Sequence, residues 1–338
     1  MFGDLSFARL RVSFRVLRDC RLPPFAGSAL RGAWGHALRR VRHHPRRRRC
    51  QICSLWFHCQ NSRVDRYLFE SPVDHPFFPA LCDSFTYKLA RFPPPFVLEP
   101  PPGGHYRAGD IMESTWVLVG KAIACARFAV CSWMHMENGR LGQVPGAVRL
   151  EKVVSVDPLD GKGSGEVLFP ESSDGLAPCL QLASWPLIQR QAAAWTGGSE
   201  LRRVRLQFTT PVRLKDENRL GSVPDFSVLM RSILRRMTLL SVHSPLSDAV
   251  DHKRLLEASR AVITAASNLH WQDWERYSCR QRQSMSLGGY VGDIVFQGPL
   301  AGFVPYLLLG SQLHMGKQAS FGLGHYRMEP YFKEPAEA

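Results

Sequence analysis

The glycine-rich segment 310–326 contains residue types that suit phosphate binding. It follows an apolar helical stretch and holds Gly316, Lys317, Gly322 and Gly324. Glycine lets backbone approach a ligand where a Cβ would collide, and successive loop amides can form an anion-binding concavity. The segment is neither a Walker loop nor a dinucleotide fingerprint, because a helix precedes the glycines instead of following them. It predicts a phosphate-binding loop, and the alternative is a tight surface turn.

A dense run of arginines is the second candidate site. Seven of the eleven residues 39–49 are arginines, namely Arg39, Arg40, Arg42, Arg46, Arg47, Arg48 and Arg49. Such crowding of like charge stabilises no folded domain, so the run predicts an anionic partner. Arginine forks onto phosphates and stacks on bases, which favours RNA. The alternative is a solvated charged loop without function.

Histidines beside these arginines are candidate general bases. A helix predicted over residues 28–41 carries His36 on the face opposite its apolar stripe, and His43 and His44 follow. The stripe consists of Leu30, Ala33, Trp34, Ala37 and Val41. Cationic neighbours favour the neutral imidazole that a general base requires. Each of the three histidines could instead only contact RNA.

Four further residues are candidates for contact with a polynucleotide. Lys317 would stabilise phosphate charge, and His314 lies one turn away, where it could alternatively cap the preceding helix. Arg276 and Arg280 lie around a strand predicted over residues 271–279 and would provide a basic face.

A cysteine cluster predicts a metal site. Cys50, Cys53 and Cys59 have the spacing C-x₂-C-x₅-C, and a C-x₂-C knuckle places two thiolates on one ion with little strain. The three thiolates are one ligand short of a closed zinc site, and the candidates for the fourth are Cys20, Cys82, His58, His43 and His44. The hypotheses are structural zinc, an iron–sulfur cluster and unbound thiols.

The composition favours a nucleic-acid partner. The 338 residues carry 43 basic and 29 acidic side chains, a net charge of +14, and such a field attracts polyanions. No apolar run approaches the roughly 18 residues of a membrane span, so we expect no membrane partner. Arginines interrupt the N-terminal apolar stretch, unlike in a secretory signal. Nine cysteines without such a signal predict a reducing cytoplasm.

The periodicity predicts an α+β fold in two halves. Residues 1–156 would form an N-terminal domain with a basic, cysteine-containing insertion at about 39–84, with strands 7–16, 112–119 and 148–156 and helices 28–41 and 122–136. Residues 157–200, rich in Gly, Pro and Ser, would form a linker or irregular excursion. Residues 201–330 would form a C-terminal domain in the order β-α-β-β-α-β, with strands 203–210, 271–279, 289–296 and 325–328 and a second helical pattern at 255–269.

The chain resembles the repeat-associated RNA-processing superfamily of CRISPR systems, specifically its precursor-RNA endoribonucleases. The matching residues lie in segments 210–215, 225–226, 271–278, 288–292 and 314–324, and more loosely in 25–32 and 94–100. The resemblance implies two tandem ferredoxin-like (βαββαβ) domains, with the glycine-rich loop between the last helix and last strand of the second.

The same resemblance implies an activity. The chain would bind CRISPR repeat RNA and cut it through attack of a ribose 2′-hydroxyl on the adjacent phosphate, with a histidine of the N-terminal half as base. That reaction needs no metal cofactor and leaves a cyclic phosphate. The alternative is a non-catalytic scaffold that holds guide RNA among other effector subunits, because fold alone does not decide function. A zinc-stabilised DNA-binding protein is disfavoured, since no recognition helix is evident.

Overall fold

The protein divides into two compact units. The structure, a computed structural model, describes residues 5–42, 63–70, 92–142, 144–159, 167–169, 180–196, 201–214, 224–244, 251–278 and 283–330. The N-terminal unit comprises Leu5–Ala183 and a later segment, Leu240–Pro245. The C-terminal unit comprises Ser184–Leu239 and Leu246–Ala338, together with Met1–Asp4. None of the described helices is long and apolar enough to span a membrane.

The N-terminal unit is built on one antiparallel sheet with helices packed against it. Its strands are β1 (Ser6–Val16), β2 (Cys20–Phe25), β3 (Phe96–Glu99), β4 (Pro102–Tyr106), β5 (Ile111–Val119), β6 (Arg140–Leu141), β7 (Val144–Pro145), β8 (Val148–Val156), β9 (Val167–Phe169) and β10 (Leu182–Ser184). Its helices are α1 (Gly27–Arg42), α2 (Arg63–Phe69) and α3 (Ala126–Met134), with 3₁₀ turns at Gly120–Cys125 and His135–Asn138.

Strand order confirms the ferredoxin-like arrangement in this unit. The sheet runs β3-β5-β1-β8-β9, and β10 also pairs with β1. The first and third strands of the βαββαβ order, β1 and β5, therefore lie side by side, and the fourth, β8, flanks β1. The three strands predicted from alternation are confirmed to within one residue.

Aromatic side chains fill the space between this sheet and its helices. The Trp34 ring lies 4.5 Å from that of Trp116 and 4.9 Å from that of Phe96, and Trp133 packs 4.7 Å from Trp116. Trp34 Nε1 donates to Ser132 Oγ at 2.7 Å, so the buried indole is satisfied. The apolar side of α1 packs into this core, so the opposite side of the helix faces solvent.

A segment from late in the chain completes the N-terminal unit. His243, in Leu240–Pro245, is fully buried. Its Nε2 lies 3.0 Å from the Pro93 carbonyl and its Nδ1 lies 3.0 Å from Tyr67 Oη. Since a carbonyl only accepts, Nε2 donates and Nδ1 accepts from the tyrosine. Burial, and secondarily Cys125, raises the pKa of Tyr67 far above its usual value, so the hydroxyl remains a donor.

Replacing His243 by leucine is expected to lower the free energy of unfolding by about 2–4 kcal/mol. The variant keeps an apolar side chain but removes the hydrogen bonds of His243 to the buried Tyr67 hydroxyl and to the partly buried Pro93 carbonyl, each at a cost of about 1–3 kcal/mol. Tyr67→Phe is the matched control, because it removes only one of these two hydrogen bonds and should cost less. Urea unfolding measures both. Equal stability of His243→Leu and the wild type would show that the hydrogen bonds of His243 do not stabilise the N-terminal unit.

The C-terminal unit repeats the same strand order. Its strands are β11 (Arg203–Val212), β12 (Ile263–Gln272), β13 (Glu275–Ser278), β14 (Gln283–Ser286), β15 (Gly289–Gln297) and β16 (Tyr326–Pro330). Its helices are α4 (Trp185–Thr196), α5 (Phe226–Ser241), α6 (His252–Ser259) and α7 (Val304–Leu313). The sheet runs β12-β15-β11-β16, so the first strand again lies beside the third and the fourth flanks the first. The tandem ferredoxin-like prediction is therefore confirmed.

Two sequence-based predictions need correction in this unit. The helical pattern over 255–269 is wrong: α6 ends at Ser259 and β12 begins at Ile263. The strand predicted over 271–279 is also wrong, because residues 271–272 end β12 and β13 pairs with β14 in a separate hairpin. No residue of β12 is buried, so the strand lacks the alternation on which a prediction would depend.

The segment 157–200 is not simply a linker. It contains β9, β10 and the twelve-residue helix α4. In α4, Trp185 and Ile188 are buried, and the Trp185 ring packs 5.2 Å from that of Tyr306 in α7. The glycine and proline content of the segment led to the prediction of a linker. Pro186 nevertheless lies in the first turn of α4, where proline is tolerated.

Candidate functional site

The glycine-rich loop has an unusual backbone. Helix α7 ends at Leu313, and the next residue, His314, has a positive φ of 59°. Gln318 also has a positive φ, of 61°, and it precedes a 3₁₀ turn at Ala319–Phe321. Positive φ is strained for residues with a Cβ and persists only where surrounding contacts hold it. The loop is therefore held in one conformation by its neighbours.

The end of β11 supplies those contacts. The Lys317 N–H donates to the Arg213 carbonyl and the Gly324 N–H to the Pro211 carbonyl, both at 3.1 Å. Thr210 Oγ1 donates to the Gly322 carbonyl at 3.0 Å and accepts from the His325 N–H at 2.9 Å. The loop is thus joined to β11 along much of its length.

The glycines are required by the protein's own packing. An ideal Cβ at Gly324, where φ is 76°, would overlap with the Met315 carbonyl, and one at Gly316, where φ is 75°, would lie 2.7 Å from the Arg213 carbonyl oxygen. Gly322 has a φ of 94°. Neighbouring backbone thus accounts for the close approach at Gly316 and Gly324, as the tight-turn alternative expects. Phosphate binding by the loop stays a prediction.

The two polar side chains predicted beside the glycines lie in different environments. Lys317 is exposed, as a phosphate contact requires. His314 is only 1% exposed, and its Nδ1 donates to the Leu323 carbonyl at 3.1 Å. Its ring therefore stabilises the loop internally, and its burial gives no support to direct RNA contact.

A second histidine at the loop was missed by sequence reasoning. His325 is partly exposed, its ring lies 4.9 Å from that of His314, and its Nδ1 lies 2.5 Å from Thr209 Oγ1. The hydroxyl and the imidazole share a hydrogen bond across 116 residues of sequence. No spacing rule connects residues so far apart, so only the pairing of β11 with β16 reveals the contact.

The other predicted site residues divide into described and undescribed positions. His36 and Arg40 lie exposed on α1, as predicted, and Arg39 and Arg42 belong to the same helix. Arg276 lies in β13. The remaining predicted RNA contacts and histidines lie outside the described residues: His43, His44, Arg46, Arg47, Arg48, Arg49 and Arg280.

The predicted zinc ligands Cys50, Cys53 and Cys59 also lie outside the described residues. Cys20, one candidate for the fourth ligand, is buried in β2. Burial and, to a lesser extent, Asp19 raise the pKa of its thiol. A raised pKa disfavours the thiolate that zinc requires. The environment of Cys20 therefore gives this fourth-ligand candidate no support.

Two ferredoxin-like units, the second with a glycine-rich loop before its last strand, define the class of the protein. Residues 5–178 match the family model AF_1859_N, described as an N-terminal domain, and residues 206–326 match that of the CRISPR-associated endoribonuclease Cas6. The chain therefore belongs to the AF_1859_N family through its first half, and its second half is similar to the Cas6 endoribonucleases. We found no match among curated proteins.

Similar solved structures share the fold at low sequence identity. A partial Cas6-RT-Cas1–Cas2 complex has a TM-score of 0.59 at 13% identity, over 99% of this chain and 48% of that one. A product complex of Cas6 (TTHB231) has a TM-score of 0.56 at 13% identity, over 96% and 99% of the two chains. Thermus thermophilus Cas6 has a TM-score of 0.53 at 14% identity, with the same coverage. The chain thus spans about half of the first structure and nearly all of the others.

Proposed function

We propose that the chain binds precursor CRISPR RNA and cleaves it within the repeats as a metal-independent endoribonuclease. The observation that carries the proposal is the match of residues 206–326 to the Cas6 endoribonuclease family, because these residues contain the glycine-rich loop and the strand that holds it. The net charge of +14 supports a polyanionic substrate.

The proposed reaction needs a base, a leaving-group acid and a cation. The base removes the proton of a ribose 2′-hydroxyl, whose oxygen attacks the adjacent phosphorus. The P–O5′ bond breaks, which leaves a 2′,3′-cyclic phosphate upstream and, after protonation, a 5′-hydroxyl downstream. His36 is the proposed base, because it is exposed on a helix whose other side is anchored in the core. Lys317 is the proposed cation that stabilises phosphate charge in the bound RNA.

The decisive experiment is incubation with RNA of the adjacent CRISPR repeat in the presence of a chelator. The proposal expects a single cut, with a cyclic phosphate on one product and a 5′-hydroxyl on the other. A product that forms only when a divalent cation is supplied would contradict the metal-independent mechanism. Tight binding of the repeat without any cut would favour the alternative, a non-catalytic scaffold subunit of an effector complex.

RNA affinity is expected to depend steeply on salt, because many phosphate contacts contribute to it. For single strands, the slope of log K against log salt is about −0.7 per phosphate neutralised. Changing Arg46, Arg47, Arg48 and Arg49 together to glutamine should flatten the slope by roughly two to four contacts.

A variant with the same loss of charge elsewhere provides the control for this measurement. Arg21, Arg149, Arg190 and Arg254 are exposed and lie outside the arginine run, so their replacement by glutamine should leave the slope close to that of the wild type. If both quadruple variants change the slope equally, the effect comes from net charge and the arginine run is not a local RNA contact.

We also propose a structural zinc ion and a cytoplasmic location. A zinc ion on Cys50, Cys53 and Cys59 would crosslink the segment that contains them. The sequence predicts that this segment has little apolar core of its own. It would have no role in the cut. Nine cysteines and an RNA substrate support a cytoplasmic location, with repeat RNA and other CRISPR-associated subunits as partners.

A further inference from the structure

Arg236 lies on α5 against the residue from which the glycine-rich loop begins. Its Nε donates to the Leu313 carbonyl at 2.7 Å. Leu313 is the last residue of α7, and the next residue, His314, has the positive φ that turns the chain into the loop. One side chain from a different helix therefore holds the junction between α7 and the loop.

Arg236 is a partly buried cation, and one nitrogen of its guanidinium is shielded from water. Burial lowers the pKa of Arg236 to about 10, which still leaves the guanidinium charged at neutral pH. Its Nη2 is buried and has no hydrogen-bond partner among the described residues. A charge in such surroundings is unfavourable unless it makes a specific interaction. The Leu313 carbonyl provides one, because the C-terminal end of a helix carries partial negative charge that attracts a cation.

The contact with Arg236 complements the hydrogen bonds to β11. The Gly324 amide attaches the far end of the loop to β11, and the Lys317 amide attaches its middle to Arg213, the residue after β11. Arg236 fixes the near end at Leu313. Within the loop, the Met315 N–H donates to the Gly324 carbonyl at 3.0 Å and joins the two ends. Without Arg236, the last turn of α7 loses a cationic partner at Leu313, two residues before this hydrogen bond.

We propose that Arg236 is a positioning residue for RNA binding, which acts by fixing where α7 ends and the glycine-rich loop starts. The inference rests on the proposed function, since it assigns the loop to RNA. Arg236 itself makes no contact with RNA in this account. It differs in this respect from Lys317, the exposed cation of the loop.

Arg236→Met tests the proposal, with Arg235→Met as the matched control. Both variants remove one arginine from α5, but Arg235 is exposed. In full-length Arg236→Met, we expect the amides of Met315, Lys317 and Gly324 to exchange with deuterated solvent at least about tenfold faster than in the wild type. Arg235→Met should exchange like the wild type. Arg236→Lys keeps the charge and one donor, so it should restore part of the protection even if Arg236→Met folds poorly.

RNA binding supplies the second measurement. Arg236→Met should bind a repeat RNA with a 2′-deoxy nucleotide at the cut site roughly tenfold more weakly, with an unchanged dependence on salt. A slope flattened by about 0.7 would overturn the positioning role, because it would show a direct phosphate contact. A lower unfolding midpoint with normal exchange of the loop amides would overturn it as well, since the role would then be structural only.

The two proposals can fail independently. A wild-type protein that does not bind repeat RNA contradicts the proposed function, whereas exchange of the loop amides still decides whether Arg236 holds the loop.

Discussion

Replacing His36 by alanine is expected to lower the rate of repeat-RNA cleavage by about 10²–10⁴-fold and to leave RNA affinity nearly unchanged. The general base acts on the 2′-hydroxyl proton in the transition state, whereas ground-state affinity comes from phosphate contacts elsewhere. His36 is exposed, so its truncation should change the free energy of unfolding by no more than about 0.5 kcal/mol. Single-turnover cleavage measures the rate, and binding to a 2′-deoxy substrate measures the affinity.

Two controls distinguish a wrong choice of general base from a wrong reaction mechanism. Arg40→Ala, exposed on the same helix, should weaken RNA binding and leave the rate at saturating protein almost unchanged. A substrate that is 2′-deoxy at the nucleotide before the scissile phosphate should bind but resist cutting by every variant. If that substrate is cut, attack by the 2′-hydroxyl is wrong. If it resists and His36→Ala still cuts normally, His43 or His44 becomes the candidate base.

Gly324→Ala is expected to weaken RNA binding roughly a hundredfold. The added methyl group would overlap with the Met315 carbonyl, and alanine is strained at the positive φ of this position. Relief of that overlap breaks the hydrogen bonds of Gly324 with Met315 and Pro211. Backbone strain and the lost hydrogen bonds together destabilise the loop conformation by about 2–4 kcal/mol. Fluorescence anisotropy with the 2′-deoxy RNA measures the loss.

Gly302→Ala is the control for this substitution. It adds the same methyl group in the same unit, where no atom lies within 4 Å of the new Cβ, so affinity should be unchanged. Circular dichroism should show that both variants are folded. Wild-type affinity in a folded Gly324→Ala protein would reduce the loop to a turn without a role in RNA binding. Gly322→Val, which also replaces a glycine of positive φ, should weaken binding by the same mechanism.

Most of the fold could be predicted where one face of an element is buried. Along β1, Leu10, Val12 and Phe14 are fully buried, and this alternation is visible in the sequence. Asp225 precedes α5, and its Oδ1 accepts from the Val228 N–H at 2.7 Å, as expected of an aspartate before the first turn of a helix. Prediction failed at β12 because the strand buries neither face. It also failed at α4, because a helix between glycine-rich stretches gives a weak compositional signal.

Only the features of the candidate site that depend on residues close in sequence could be predicted. Lys317 and the glycines are close in sequence, and their composition indicates a tight loop. The contacts that hold the loop join it to Thr209, Thr210 and Pro211, more than a hundred residues earlier. Such contacts follow from strand pairing and leave no local pattern. For the same reason, neither the burial of His314 nor the pairing of His325 could be foreseen.

Each unit contains a segment from late in the chain, so the order of synthesis determines when the unit can be completed. The N-terminal unit contains Leu240–Pro245, so the contacts of His243 with Tyr67 and Pro93 form only after the ribosome has passed residue 243. The partner of Phe208 across the sheet is Tyr326, and the glycine-rich loop is held between these strands. Non-local pairing of this kind forms late. A chain released before residue 326 would therefore have the N-terminal fold but no ordered loop, and its RNA contacts would be limited to those of the N-terminal unit.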